Sequence, residues 1–220
     1  MISFNPSGYF ITASDTDAGK TYIACELIRQ LRESGIPLEV RKPVESGCEQ
    51  DQSGSKVAAD ALKLQAANSN QESLEHIVRY RFAAALAPHR AARMEGCELY
   101  LSDLVTACAP KNNATALIVE GAGGFYSPLA EDGLNADLAG ALKLPVIIVV
   151  KDKIGAVNQA LLTIQAVENR GLAVAAIIMS EAEPRQDPSM DNVADLKVYC
   201  HYPVFRCYYQ GRLEPIFTHL

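Results

Sequence analysis

The sequence predicts an α/β fold: a mostly parallel, doubly wound sheet with helices on both faces. Three observations carry that expectation. The runs at residues 9–12, 115–119, 146–150 and 172–179 are apolar and largely β-branched, the near-continuous hydrophobicity of strands buried on both sides. Segments of helical period separate them at the spacing of strand–helix–strand units. Gly19-Lys20-Thr21 stands between the first apolar run and the first helical one, at the carboxyl end of a strand, where such sheets bind their ligands.

The elements follow in order. Residues 9–12 form a strand and residues 21–31 an amphipathic helix, with Ser14-Asp15-Thr16-Asp17-Ala18-Gly19 between them. This is the mechanical core of a phosphate loop, and it makes the fold P-loop NTPase-like. Backbone N–H groups and the helix N-terminus face the phosphates, Lys20 neutralises charge, and the Thr21 hydroxyl can bind Mg²⁺. The usual pattern has Gly five places before Gly19, where this chain has Ser14. The bland reading of the loop alone is a chance Gly-Lys-Thr at a helix start.

Gly35-Ile36-Pro37 turns the chain into a strand at residues 38–42, ended by Pro43. Residues 44–48 are expected to be a loop, residues 49–55 a mobile polar stretch, and residues 58–67 a helix with Asp60 near its start. Residues 76–82 read equally as a strand or as irregular extended chain. Ala87-Pro88-His89 interrupts, and helices are expected at 90–94 and 102–109. The strand at 115–119 leads into Glu120-Gly121-Ala122-Gly123-Gly124. Helices at 134–142, 155–169 and 191–200 complete the pattern, and the tail from His201 has no period. With no repeats, linkers or low-complexity tracts, residues 1–220 are expected to form a single domain.

Composition narrows the function classes. With 220 residues, 49% of them apolar, the chain can fill a layered core. A formal charge of −6 argues against general binding to nucleic acid or to an anionic membrane, but a phosphate site needs only local cations. The six cysteines form no Cys-x-x-Cys pair and read as free thiols of a reducing compartment. The N-terminus has no signal-peptide pattern, and the apolar runs, residues 144–150 among them, are too short to span a bilayer. A cytoplasmic protein is expected.

Thr16, Lys42, Glu120 and Lys151 all follow strands and should meet on one edge. There Thr21, Asp60 and Glu120 could offer hard oxygens to one Mg²⁺, and Lys20 and Lys42 could face phosphates. Singly, Asp60 reads as a helix-start acid and Lys42 as a solvated strand-end charge; together, beside a phosphate loop, the functional reading prevails.

These residues resemble the dethiobiotin synthetase family. The matching pieces are Thr12-Ala13-Ser14-Asp15-Thr16-Asp17-Ala18-Gly19-Lys20-Thr21, Arg41-Lys42-Pro43-Val44-Glu45-Ser46-Gly47, Asp60-Ala61-Leu62, Ala87-Pro88-His89, Val119-Glu120-Gly121-Ala122-Gly123-Gly124 with Ser127-Pro128-Leu129, and residues 154–163. The match runs from about residue 8 to 179 and fades beyond. The resemblance implies an ATP- and Mg²⁺-dependent ligase that closes the ureido ring of dethiobiotin from 7,8-diaminopelargonic acid and CO₂. It makes Lys42, Lys20 and Thr16 catalytic. It assigns nucleotide binding to Asp17, Ala18, Gly19, Lys20, Thr21, Tyr22, Asp60, Glu120, Gly121, Ala122, Gly123 and Ser180. Thr21, Asp60 and Glu120 would hold the metal. Ser46, Gly155 and Asn158 would bind the substrate, the last two across a homodimer interface.

One departure is visible. The family usually has Asn after the strand ending at Met179, where this chain has Ser180, and Arg206 and Tyr209 fall where Gly and Pro are expected. Weak selectivity for the nucleotide base follows as an expectation. Two other classes compete: an ATP-dependent amide ligase, for whose glutaminase domain the chain has no room, and a P-loop regulatory ATPase switch acting through protein partners. The chain has no Asn-Lys-x-Asp for guanine and no early Lys in the phosphate loop. A degenerate, non-catalytic relative is the third option, weakened because every proposed cation and metal position is filled.

Overall fold

The computed structural model describes residues 1–112, 115–184, 187 and 189–218. Its main sheet has six strands, β1 (Gly8–Ala13), β2 (Leu38–Arg41), β3 (Ala116–Glu120), β4 (Val146–Lys151), β5 (Val174–Ser180) and β6 (Val204–Cys207), in the order β6-β5-β4-β1-β3-β2. Every pairing is parallel. The helices are α1 (Lys20–Glu33), α2 (Ala59–Ala67), α3 (Leu74–Ile77), α4 (Pro88–Met94), α5 (Leu101–Ala107), α6 (Asn135–Leu142), α7 (Ala156–Asn169) and α8 (Asn192–Tyr199). Strand β1 lies inside the sheet, so the loop after it opens near the middle of the carboxyl edge.

Period-two alternation divides the core. Ile147 and Val149 of β4 pack with Ile11, Ile118 and Ile178 against Ile23, Leu27 and Ile28 of α1 and Leu64 of α2. Val146, Ile148 and Val150 pack with Phe10, Val119 and Ile177 against Leu138 of α6, Ile164 of α7 and Leu196 of α8. A slip of one residue would exchange the two sets, so burial of both faces pins the register. Among the described residues, no helix is long and apolar enough to cross a membrane.

Four segments differ from expectation. Val44–Ser46, expected as part of a loop, is a strand paired in parallel with Tyr80–Phe82. The undecided stretch before Phe82 divides into the helical turn α3 and that second strand. Strands of three residues carry too few alternations to be read from a sequence. The polar stretch after Cys48 is held in an antiparallel hairpin of Glu49–Gln50 with Lys56–Val57. At its tip Asp51 Oδ1 accepts from Ser53 N at 2.8 Å and Ser55 N at 2.9 Å, a local turn that a short carboxylate closes by itself. The tail supplies β6, then Phe217–Thr218, which pairs with Ile2–Ser3. The rings of Phe4, Tyr9 and Phe217 pack there with centroids 5.7–6.3 Å apart.

Edge strand β2 is buried through a charged network. Arg41, 1% exposed, donates from Nη1 to Glu72 Oε1 at 2.6 Å and from Nη2 to Glu39. Glu39 also accepts from Lys111 N, Asn112 N and Thr115 Oγ1 at 2.9–3.0 Å. Buried charges persist when paired and hydrogen-bonded in this way. The network anchors the strand that ends beside Lys42.

Candidate active site

The phosphate loop begins where β1 ends. Gly19 precedes α1 in the left-handed region, φ +88°, and no side chain caps the helix, so the first N–H groups of α1 remain available to an anion. A Cβ at Gly19 would also stand 2.7 Å from Ser180 Oγ, which leaves no room for a side chain. Lys20, the first residue of α1, is buried. Burial pulls its pKa down, the nearby Lys42 adds to that, and the carboxylates of Glu120 and Asp60 offset only part of it.

Three elements converge on this loop. Glu120 ends β3, and its Oε1 accepts from Thr21 Oγ1 at 2.8 Å and from Lys42 Nζ at 2.5 Å. Lys42 follows β2 and also donates to Asp60 Oδ2, at 3.1 Å, in the first turn of α2. Burial alone would lower the Lys42 pKa, but the charges of Glu120 and Asp60 raise it above that of an ordinary lysine. Asp60 is shifted the other way: burial works against its charge, the neighbouring Lys42 outweighs that, and its pKa is lowered.

These groups line a cleft of about 490 Å³. Of the residues expected from the sequence, Thr16, Asp17, Gly19, Lys20, Thr21, Tyr22, Lys42, Ser46, Asp60, Glu120, Ala122 and Gly123 line it. Ala18 is buried within the loop. Gly121 packs where a Cβ would meet Asn135 Oδ1 at 2.7 Å. Ser180 ends β5, buried behind Gly19. Lys151 ends β4 on the same edge but pairs with Glu183 at 2.6 Å.

Gly155 and Asn158 lie elsewhere, at the start of α7. Gly155 precedes that helix at φ +87° with no side-chain cap, and Asn158 lines a separate hollow beside α8. Within one chain the structure does not bring them to the cleft.

Three further residues shape the site. Glu45 and Lys63 line the cleft; Lys63 lies one turn beyond Asp60 and 3.4 Å from its Oδ1. Asn135, fully buried at the start of α6, accepts from Ala122 N at 2.9 Å and donates to Ala122 O at 2.5 Å. It clamps the Gly-rich loop after Glu120. The spacing of Lys63 from Asp60 was a usable sequence signal; Glu45 was visible only inside the Arg41–Gly47 motif, with no role to read from it, and Asn135 left no signal.

The donors suit a hard divalent cation bound together with phosphates. Glu120 Oε2 is buried without a hydrogen-bond partner, beside the Thr21 hydroxyl. Among the described residues no three His, Cys, Asp or Glu side chains form a metal cluster by themselves. Two carboxylates and a hydroxyl, completed by phosphate and water oxygens, would fit a magnesium–nucleotide.

A family model described as an AAA domain matches residues 7–207. ATP-dependent dethiobiotin synthetase BioD of Anaeromyxobacter dehalogenans is 42% identical over 191 residues, 86% of this chain and 83% of that protein. The protein of the same name from Ruthia magnifica subsp. Calyptogena magnifica is 40% identical over 177 residues, 80% and 81% of the two chains. Among solved structures, the signal recognition particle receptor FtsY of Elizabethkingia anophelis superposes with a TM-score of 0.51 at 14% identity, over 96% of this chain and 62% of that one. That likeness concerns the fold alone.

Proposed function

The chain belongs to the ATP-dependent dethiobiotin synthetases, ligases of biotin biosynthesis, and on that premise we propose how its cleft closes the ureido ring. The observation that carries the proposal is the position of Lys42. Its ammonium lies 2.5 Å from Glu120 and 3.1 Å from Asp60, in one cleft with Lys20 and the start of α1.

One amine of 7,8-diaminopelargonic acid takes up CO₂ and loses a proton, giving a carbamate. A carbamate oxygen attacks the γ-phosphorus of ATP; the bond to the β-phosphate oxygen breaks and ADP leaves. The second amine then attacks the carbonyl carbon of the carbamic–phosphoric anhydride. Phosphate departs with the C–O bond pair, the amine loses a proton, and the ring is closed.

The chain's own part is positioning and charge. Thr16, Ser46 and Lys42 hold the carbamate end of the substrate. Lys20 and the α1 N–H groups hold the phosphates. Lys42 stands between the two anions and lowers the cost of bringing them together. Thr21, Asp60 and Glu120 hold Mg²⁺, which when bound neutralises phosphate charge. Asp17, Ala18, Tyr22, Gly121, Ala122 and Gly123 shape the nucleotide side, and Ser180 lies toward the base.

The substrate's carboxylate is held by a second copy of the chain, through Asn158 and the uncapped helix start at Gly155. Ile154, just before that helix start, and Leu162, two turns into the helix, are 78% and 58% exposed and would give a homodimer apolar surface to bury. Each copy acts as one domain of residues 1–220.

ADP release in a coupled assay, with diaminopelargonate and bicarbonate omitted in turn, tests the reaction. Strict dependence on both is expected. Hydrolysis indifferent to the diamine would favour a regulatory switch. Sizing at working concentration tests the assembly, since a fully active monomer would remove Gly155 and Asn158 from the site.

A further inference from the structure

Helix α2 starts without a cap of its own, because Ala58 offers no side-chain acceptor. The acceptor comes from Glu45, whose Oε1 lies 2.9 Å from Asp60 N and whose Oε2 lies 3.0 Å from Ala61 N. One carboxylate thus takes two N–H groups of the first turn and brings the charge that a helix N-terminus favours.

The donor segment is itself fixed. Glu45 is buried, lines the cleft, and belongs to the strand Val44–Ser46 paired with Tyr80–Phe82. Lys42 and Ser46 flank it on the same short stretch of chain. A Ser or Asp at position 58 would cap α2 equally well, but would not tie the helix to the segment that carries Lys42. The long reach from Glu45 does both, and Asp60, whose backbone N–H is one of the two donors, is the residue it locates.

We propose that Glu45 is a positioning residue for metal–nucleotide binding, clamping the start of α2 to the Lys42–Ser46 segment so that Asp60 meets the cation. The proposal rests on the assignment of Asp60 as a metal ligand. It predicts coupling: the effect of removing Glu45 on metal–nucleotide binding is carried through Asp60.

The test is calorimetric binding of a non-hydrolysable ATP analogue, with Mg²⁺ and with EDTA. The ratio of the two dissociation constants reports what the metal adds. Glu45→Ala should reduce that ratio about fivefold, the scale of a lost helix cap, and Glu45→Gln, which keeps the shape and one acceptor, by less. The dissociation constant measured in EDTA should stay within about twofold of its original value, a separation that general loosening of the fold would not produce. In an Asp60→Ala background, Glu45→Gln should change nothing further, because coupled residues are not additive. If Glu45→Ala does not fold, Glu45→Gln carries the comparison. If Asp60→Ala leaves the ratio unchanged, the ligand assignment fails and the proposal with it. If Asp60→Ala lowers the ratio while the Glu45 variants do not, or their effects add in full, the positioning role alone is overturned.

Discussion

Lys42 and Glu120 form an ion pair almost sealed from solvent, with Nζ 2.5 Å from Oε1 and side chains 5% and 1% exposed. Neither charge could stand there alone, since breaking a buried pair from one side costs about 3–5 kcal/mol. The pair is therefore a structural element before any ligand arrives. On the proposed mechanism the same ammonium would stand between the two anionic reactants, a second role that kinetics can test.

Lys42→Ala and Lys42→Gln should lower kcat by about a hundredfold or more, the scale for losing one aimed electrostatic group. The melting temperature of the free protein should also fall, because Glu120 is left uncompensated. Steady-state kinetics on folded protein decides the role: a rise confined to the KM for the diamine would make Lys42 a binding residue only.

Glu120→Gln keeps the shape and an acceptor for Thr21 but removes the charge and one of the two carboxylate oxygens. Turnover should drop sharply and the loss should deepen at limiting Mg²⁺; the chain should still fold, at a lower melting temperature, because Lys42 keeps its pair with Asp60. Turnover titrated against Mg²⁺ checks this; a curve like that of the original protein would take Glu120 out of the metal shell.

Much of this site was legible because it is contiguous. Thr16 to Tyr22 and Glu120 to Gly123 each follow an apolar strand; strand ends located Thr16 and Glu120 on one edge, and the family resemblance added their neighbours. The roles of Glu45 and Asn135 were not legible, because their partners are backbone groups 15 and 13 residues away and backbone carries no sequence signal. The tail strand β6 was missed for a related reason. Its four residues have no usable period, and it is a strand because β5 offers it an edge to pair with.

The lysines separate in their response to pH. The Lys42 pKa is raised, so its stabilisation is present below the unfolded value of about 10.4 and fades as pH rises through the higher folded value. Asp60 is lowered, so its stabilisation is present above about 3.9 and is lost only as pH falls through the lower folded value. Lys20 is lowered by burial, so its charged form burdens the fold, and that burden is relieved as pH rises. Lys20 therefore loses its proton before Lys42 does. At a pH high enough for Lys20 to have begun losing its proton, an arriving triphosphate should restore it, and nucleotide binding should take up protons. Calorimetry in two buffers of different ionisation enthalpy measures this; Lys20→Met should abolish it.

Arg41 gives a prediction about stability. Arg41→Met would leave Glu39 and Glu72 buried without their guanidinium partner, at a cost of about 3–5 kcal/mol in denaturant unfolding. Replacing all three by apolar residues of similar volume should recover much of that loss. A single variant as stable as the original would mean that the backbone donors to Glu39 and Glu72 suffice.

The nucleotide base is where this chain leaves its family's pattern. By the resemblance read from the sequence, Ser180 takes the place expected for Asn; in the structure it is buried at the end of β5, close behind Gly19. A hydroxyl is shorter than an amide and cannot both donate to and accept from the adenine edge at two points. Arg206, in place of a glycine, is committed elsewhere: Nη2 donates to Asp191 Oδ1 at 2.6 Å and Nε faces Asp152 Oδ2 at 3.7 Å. Tyr208 and Tyr209 are 51% and 42% exposed and could stack on a base of any identity. A net hydrogen bond is worth about 0.5–1.5 kcal/mol, so losing one or two costs around tenfold in discrimination or less. Phosphate and metal contacts would be the same for every triphosphate, whichever base it carries. CTP and GTP should therefore support turnover within about tenfold of ATP in kcat/KM, and Tyr208→Ala or Tyr209→Ala should weaken all three alike. Competition assays with the three triphosphates decide it. A preference for ATP beyond about a hundredfold would mean that a backbone contact or another side chain reads adenine, and that Ser180 is not the determinant.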